Sequence, residues 1–295
     1  MTTPRLCVVV ICQAGELELK AALAVASLRV HHPSGPELEV VAAVPDRAVW
    51  GPICGETEAL LDACGARLVE IESPFGRDYP IGNKLAAVGV PTKASTTLFL
   101  DSDILCCGPM EPATLQTQDV LAKPSDLNTF KASRRQWQAI YGLFGLRAPL
   151  ERLVTTVSQE TILPYFNAGV LSVGKGAEFS EVWIETARVI DRSPIEIQKR
   201  PCLDQIAFPV ACARSNRAIR RLSEAWNYPA HLRRLPPSPL PVFCHYHWPA
   251  VIAAEPALMA QVRTLMGRHP EIPALMSGFE EWGALAEYMR QVPQP

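Results

Sequence analysis

Residues Thr96–Cys107 read TTLFLDSDILCC. An apolar run rich in strand-forming residues ends in two aspartates, Asp101 and Asp103, spaced i, i+2. A run of this length and composition predicts a buried strand of an α/β sheet. Alternate residues of an extended chain point the same way, so both carboxylates can face one ligand. In open α/β sheets ligands sit just beyond the carboxyl ends of the strands. A carboxylate pair placed there suits a divalent cation, and that cation can hold a diphosphate leaving group. Asp-x-Asp alone is weak, since it arises by chance roughly once in a chain this long. A polar turn after a strand is the competing reading, and the rest of the chain must decide.

Composition sets the outer limits. The chain has 295 residues, 48% hydrophobic and 20% charged, enough apolar content for a sizeable core. A formal net charge of -2 gives no electrostatic case for nucleic acid or an anionic membrane. Nine cysteines lie without a Cys-x-x-Cys pair, which favours a reducing, cytoplasmic setting. The start MTTPRLCVVVICQ carries neither the basic region nor the long apolar stretch of a secretory leader. No run approaches the ~18 apolar residues of a membrane span.

Working outward from Asp101, short β-branched runs alternate with helical patterns. Strands are predicted at Leu6–Ile11, Leu38–Val44, Arg67–Ile71 and Thr96–Leu100, and helices at Glu16–Val30, Glu56–Cys64 and Asn83–Val90. Such alternation predicts a mostly parallel sheet with helices on both faces and right-handed crossovers. Beyond it, Lys123–Asn128 reads as a polar loop, and Ala132–Phe144 and Leu150–Val157 as helices. Asn167–Val173 reads as a strand, Phe179–Ile190 as an amphipathic helix, and Pro201–Cys212 as a helix interrupted at Pro209. Leu235–Val242 is proline-rich and extended, and Glu255–Gln291 suggests two amphipathic helices. The expected division is residues 1–110, ending in the aspartate motif, and residues 111–295, packed together as a single compact domain.

Five further segments join the aspartates: YPIGNKLA at Tyr79–Ala86, PYFNAGVLSV at Pro164–Val173, CLDQIAF at Cys202–Phe208, LSEAWNY at Leu222–Tyr228 and FCHYHW at Phe243–Trp248. In this order and spacing the chain resembles the retaining glycosyltransferases of family 8, across roughly residues 5 to 250. The FNAGVL strand is the most specific piece. The resemblance implies a GT-A (Rossmann-like) fold, a metal-dependent sugar transfer from a nucleotide-diphosphate sugar, and UDP as the nucleotide. The first half would bind the nucleotide and the second half would face the acceptor, a saccharide, lipid or small molecule. The family follows its His-Tyr with a glycine and Lys-Pro-Trp, whereas this chain reads HYHWPAV. A cation for the diphosphate would then come from Lys84, Arg233 or Arg234.

By this resemblance Asp101, Asp103 and His245 are the metal ligands, with His247 as an alternative two residues on. A histidine with carboxylates suits Mn²⁺, whereas Mg²⁺ prefers oxygen alone. A buried strand histidine is the plain alternative for His245. Donor-binding residues would be Val10, Cys12 and Gln13 with Ile11 and Ala14 at the first strand end, Lys84 beside Asn83, Ser102 between the aspartates, and Asn167, Ala168 and Gly169 along the sugar. Asp204 and Gln205 would meet the transferred sugar as catalytic residues, Gln205 stabilising a developing oxocarbenium ion. Asp204 also fits a helix N-cap. Trp226 and Asn227 would shape the acceptor side, and Trp137, Tyr141, Phe144 and Arg134–Arg135 would contact the acceptor. Cys106 and Cys107 read as packing residues, since no other cysteine completes a zinc set.

Two rivals stand beside this reading. A sugar-phosphate nucleotidyltransferase shares the sheet and acidic pair, but VVVICQAGELELK lacks its Gly-rich phosphate loop. A non-catalytic sugar-nucleotide binder accommodates the absent Lys-Pro-Trp.

Overall fold

The computed structural model describes residues 5–35 and 37–291. The first half alternates as its periodicity predicts: β1 (Leu6–Ile11), α1 (Glu16–His31), β2 (Leu38–Pro45), a turn of helix α2 (Arg47–Trp50), α3 (Gly55–Ala63), β3 (Arg67–Ile71), α4 (Asn83–Ala87) and β4 (Thr96–Leu100). There follow β5 (Ile104–Cys106), α5 (Pro112–Leu115), β6 (Val120–Pro124), α6 (Arg134–Gly142), β7 (Leu153–Val154), β8 (Thr161–Ile162), β9 (Phe166–Gly174), α7 (Gly176–Arg192) and α8 (Leu203–Arg214). The chain closes with β10 (Ile219–Arg221), β11 (Tyr228–Pro229), β12 (Phe243–His245) and helices α9 (Pro249–Ala254), α10 (Pro256–Arg268), α11 (Glu271–Ser277) and α12 (Glu280–Gln291).

The central sheet has the order β3-β2-β1-β4-β9-β6-β10, with β9 alone antiparallel to its neighbours. That reversal matters for the site. Because β9 enters where β4 ends, the FNAG segment meets the aspartates, and the Asp101 N–H donates to the Gly169 carbonyl at 2.7 Å. A second, small sheet lays β12 antiparallel on β5, with His245 opposite Ile104, and so carries a C-terminal histidine back to the aspartate turn.

Apolar side chains fill both faces of the sheet. Along β1, Leu6, Val8 and Val10 pack on one face with α1 and the C-terminal helices, while Cys7, Val9 and Ile11 pack on the other with α7 and α8. This is the period-two alternation of a strand covered on both sides.

Four expectations from the second half are corrected. The stretch 123–128 is not wholly a loop, because β6 runs through Lys123, whose fully buried ammonium pairs with Asp126. Residues 150–157 form no helix. The β-branched Val154, Thr155 and Thr156 favour extended chain, and β7 pairs with β8. Helix α8 continues through Pro209, which cannot donate the usual helical hydrogen bond to the Gln205 carbonyl. Residues 255–291 hold three helices rather than two, since Pro270 and Gly278 interrupt the apolar periodicity.

Candidate active site

A cleft of about 380 Å³ opens at the carboxyl ends of β1 and β4. Its walls include Gln13, Asn83, Lys84, Asp101, Ser102 and Asp103 from the first half, and Asp204, Gln205 and His247 from the second. Sequence-distant motifs therefore meet in one space.

Asp101 directly follows β4, and its carboxylate meets Lys84 of α4. The Lys84 ammonium lies 3.0 Å from Asp101 Oδ1 and 3.3 Å from Asp204 Oδ2. Burial alone would push the Lys84 ammonium down, but Asp101 and then Asp204 carry it above the usual lysine range. Asp204 is fully buried and sits inside the first turn of α8, not at its N-cap, which is Cys202. The Tyr79 hydroxyl lies 2.8 Å from both Asp204 Oδ1 and the Pro201 carbonyl, and it accepts from the Asp204 N–H at 3.0 Å. Asp204 is thus an anchored carboxylate, and Gln205, half-buried, is its neighbour on the cleft wall.

Asp103 faces other partners. His245 Nε2 is 2.9 Å from Asp103 Oδ1, and His247 Nδ1 is 2.9 Å from Asp103 Oδ2. Among the described residues these three side chains bring ligand atoms within 4.8 Å of one another, and Asp101 is not among them. Burial alone would raise the Asp103 carboxyl, but His245 and then His247 hold it well below the usual carboxylate range. His245 is buried, and neither of its ring nitrogens makes an aligned hydrogen bond, despite the close approach to Asp103. Buried polar atoms left this way are costly, and convergent lone pairs of this kind fit a bound cation. Carboxylate and imidazole donors together suit a borderline divalent ion.

The glycine in FNAG is sterically required. A Cβ on Gly169 would lie 2.9 Å from Asp101 Oδ2 and 2.9 Å from His245 Cε1. Asn167 Oδ1 accepts from the Gly169 N–H at 2.7 Å and from Asn227 Nδ2 at 2.9 Å, while Asn167 Nδ2 donates to Asp126 at 2.9 Å. Its amide is largely committed to holding this corner. Ser102 donates to the Ile11 carbonyl at 2.6 Å and ties the aspartate turn to β1.

Strand alternation corrects three assignments. Val10, Cys12 and Ala168 are buried and point into the core, not the cleft. Ile11 and Gln13 line it instead, and Asn83 Nδ2 donates to Gln13 Oε1 at 3.0 Å. The acceptor-side rings are also corrected. Trp137 and Tyr141 are buried beside Phe130 and Tyr165, Phe144 carries the Arg214 guanidinium on its face, and Trp226 packs on Phe243. Arg134 and Arg135 are exposed. Arg233 and Arg234 pair with Glu224 and Glu255, which leaves Lys84 as the family-suggested cation in the cleft. Cys106 and Cys107 are free thiols, as are the other cysteines.

Three neighbours escaped sequence reading. Lys20 donates to the His247 carbonyl at 3.0 Å and pairs with Glu16 at 2.9 Å. Glu16 in turn accepts from Trp282 of α12 at 3.0 Å. His231 packs edge-on against His247, with ring centroids 4.0 Å apart, and burial pushes its imidazole down to about 4. Tyr79 lay inside a quoted segment without a role. The i, i+4 pairing of Glu16 with Lys20 was visible in the sequence, but its target was not.

The fold and chain are similar to known proteins in a consistent way. An active-site mutant of LgtC superposes with a TM-score of 0.57 at 14% identity, covering 89% of this chain and 95% of that one. The galactosyltransferase LgtC in complex with donor and acceptor sugar analogs gives 0.54 at 15% identity, covering 98% of each. Mouse xyloside xylosyltransferase 1, apo form, gives 0.48 at 14% identity, covering 84% of this chain and 98% of that one. At these identities the likeness to the two LgtC structures is one of fold, the GT-A fold. No curated protein matches the chain in sequence. Among the described residues no helix is long and apolar enough to cross a membrane. Residues 8–216 match the Rhodobacterales glycosyltransferase domain, and the chain belongs to that glycosyltransferase family.

Proposed function

We propose that this glycosyltransferase works in the manner of family 8: it moves a sugar from a nucleotide-diphosphate donor, with UDP as the nucleotide, to an acceptor hydroxyl with retention. The observation that carries the reading is the convergence of Asp101, Asp103, Asp204, Lys84, Gln205 and His247 on one cleft at the strand ends. Residues 1–110 supply the nucleotide side and residues 111–295 the acceptor side. Cysteine usage supports a cytoplasmic setting.

Asp103 and His245, with Asp101 alongside, form the metal side of the site, and Mn²⁺ suits their mixed donors better than Mg²⁺. Bound there, the ion supplies Lewis acidity against the charge that builds on the diphosphate. Lys84 adds a fixed positive charge in a low-water site. Gln13 and Asn83 offer amide groups to the nucleotide. Asp204 is held by Lys84 and Tyr79 and is poorly placed as a free base. That favours a reaction in which the leaving phosphate takes the acceptor proton, while the Gln205 amide oxygen faces positive charge developing on the sugar. The acceptor enters through a second cleft of about 480 Å³, lined by Phe130, Lys131, Gln136 and Arg200 and sharing Pro201 and Cys202 with the first.

Thermal-shift screening with UDP, GDP, ADP and CDP, with and without Mn²⁺, tests the reading. Saturating UDP with Mn²⁺ at 100 times its Kd stabilises the fold by about 2.7 kcal/mol through mass action. Asp103→Ala is expected to abolish the Mn²⁺-dependent part. Equal shifts with all four nucleotides, or UDP-sugars that bind but are never hydrolysed or transferred, would remove the proposal in favour of a binding protein.

A further inference from the structure

Resting on the donor-site reading above, we infer that Lys123 is a positioning residue for the donor sugar. Its ammonium fixes Asp126, and Asp126 fixes the Asn167 amide. Asn167 then holds the Gly169 corner of the cleft and keeps one amide N–H free for a sugar hydroxyl. Lys123 is fully buried and acts only through Asp126.

Strand register is the first support. β6 and β9 change register between Ala122 and Lys123: Ala122 stands opposite Leu171, but Lys123 stands opposite Asn167. Ala168, Gly169 and Val170 fall between the two registers. On its other side β9 follows β4 through this stretch. Val170 pairs with Leu100, and the Gly169 carbonyl takes the Asp101 N–H. Irregularities of this kind re-aim the chain beside active sites. Lys123 thus marks the point at which β9 leaves β6 for the aspartate turn.

Bond direction is the second. The Lys123 ammonium donates to Asp126 Oδ1, which also accepts from the Thr156 hydroxyl at 2.6 Å. Asp126 Oδ2 accepts from Asn167 Nδ2 at 2.9 Å. An ionised carboxylate only accepts, and a backbone N–H only donates. The Asn167 amide therefore turns Nδ2 to Asp126 and Oδ1 to the Gly169 N–H. The second Nδ2 hydrogen has no protein acceptor among the described residues, and Asn167 is half-buried where Phe166 and Ala168 are buried. Charge is the third support. Glu224 and Arg233, the other charges that Lys123 feels, pair with each other at 2.6 Å, so Asp126 is the carboxylate left to meet the ammonium. A buried ion pair is seldom more stable than well-packed apolar residues of the same volume. The orientation that this pair imposes on Asn167 accounts for its presence.

The test compares the full wild-type chain with Lys123→Met/Asp126→Leu, in which apolar side chains replace the pair, and with Lys123→Met alone. Calorimetry reads the affinity for UDP with Mn²⁺. Release of UDP from UDP-glucose, UDP-galactose and UDP-N-acetylglucosamine reads turnover by hydrolysis. Nitrogen–proton correlation spectra read the Asn167 side-chain amide, assigned by its loss in Asn167→Asp. The double variant is expected to bind UDP within about twofold of wild type, because the nucleotide lies away from the substitutions. Its kcat with the UDP-sugar should fall at least about tenfold, because the sugar is misplaced. Its Asn167 amide protons should exchange with water at least about tenfold faster. Lys123→Met alone leaves a buried carboxylate without its cation, so it should show the same losses at lower stability in urea. Turnover within about twofold of wild type in the double variant overturns the inference, since the pair would then be merely structural. So does UDP affinity that falls as far as kcat, because the damage would then be general. The amide signal separates this inference from the proposed function. A wild type that turns over no UDP-sugar sinks the proposed function, and a changed Asn167 signal in the double variant would still leave the coupling of Lys123 to Asn167 standing. An unchanged signal sinks the inference even in an active enzyme.

Discussion

Asp101 and Asp103 lie two residues apart on one turn, yet the fold treats them as different chemical objects. Asp101 belongs to an ionic cluster with Lys84 and Asp204, closed by the Tyr79 hydroxyl. Asp103 belongs to a histidine cluster in which His247 Nδ1 bonds to its Oδ2 while neither His245 ring nitrogen has an aligned protein partner. The first cluster, two carboxylates sharing one ammonium, is tightly tied within the protein, and it positions α4 and α8 on either side of the cleft. The second is incomplete as protein alone. Spacing i, i+2 therefore licenses a shared ligand but does not impose one. What each carboxylate does is set by the elements that return to it, α4 and α8 in one case and β12 in the other.

The sharpest way to break this contrast is Lys84→Met. It would leave Asp101 and Asp204 facing each other in a buried site without their cation. Removing one partner of a buried ion pair costs about 3 kcal/mol or more. The partial exposure of Asp101, whose side chain is 23% accessible, argues for the low end of that range. Urea unfolding measures the loss, and adding Asp101→Asn should recover part of it as a coupling between contacting residues. A loss below about 0.5 kcal/mol would mean the cluster is not structural.

Gly169→Ala strikes the boundary between the two clusters. The added methyl would lie within 3.0 Å of Asp101 Oδ2 and His245 Cε1, so one of them must move. Overpacking of this kind costs about 2 kcal/mol. Unfolding measures that cost, and Mn²⁺ titration should show weaker binding as well. Unchanged metal affinity with reduced stability would place the displacement on the Asp101 side and sharpen the contrast.

Much of this fold was legible because its first half is regular. β1 and β4 begin and end where their apolar runs do, since strands buried on both faces write long β-branched runs into the chain, whereas the exposed edge strand β3 was legible from its alternation. The second half was harder for stated reasons. Lys123 reads as a loop residue, because the polar stretch around it does not show that its ammonium is buried in β6 against Asp126, three residues on. The site motifs were legible as types, including the aspartates, FNAG, the Asp-Gln pair and the histidines. Their division of labour was not. Val10 and Cys12 were assigned to the donor because position in the strand was readable but facing was not. Lys20 lies far from every motif in sequence and His231 just past the LSEAWNY segment, and only the fold brings them both to His247.

The smallest expected effect concerns Tyr79, and it asks whether the Asp101 cluster needs its hydroxyl lid. Tyr79→Phe keeps the ring, which packs edge-on to Phe75 with centroids 5.6 Å apart, and removes only the oxygen. That oxygen sits between Asp204 Oδ1 and the Pro201 carbonyl and accepts the Asp204 N–H, so its loss strands a buried amide and weakens support for a buried carboxylate. Hydrogen bonds to charged groups contribute about 1.5 kcal/mol at the low end, and Asp204 keeps Lys84, so a loss near that value is expected in urea unfolding. Because the change falls wholly on the Asp101 side, Mn²⁺ affinity should stay within about twofold. A large loss of metal affinity in Tyr79→Phe would show that the two clusters are one, and that the support Tyr79 gives Asp204 and Lys84 also helps to hold the ion.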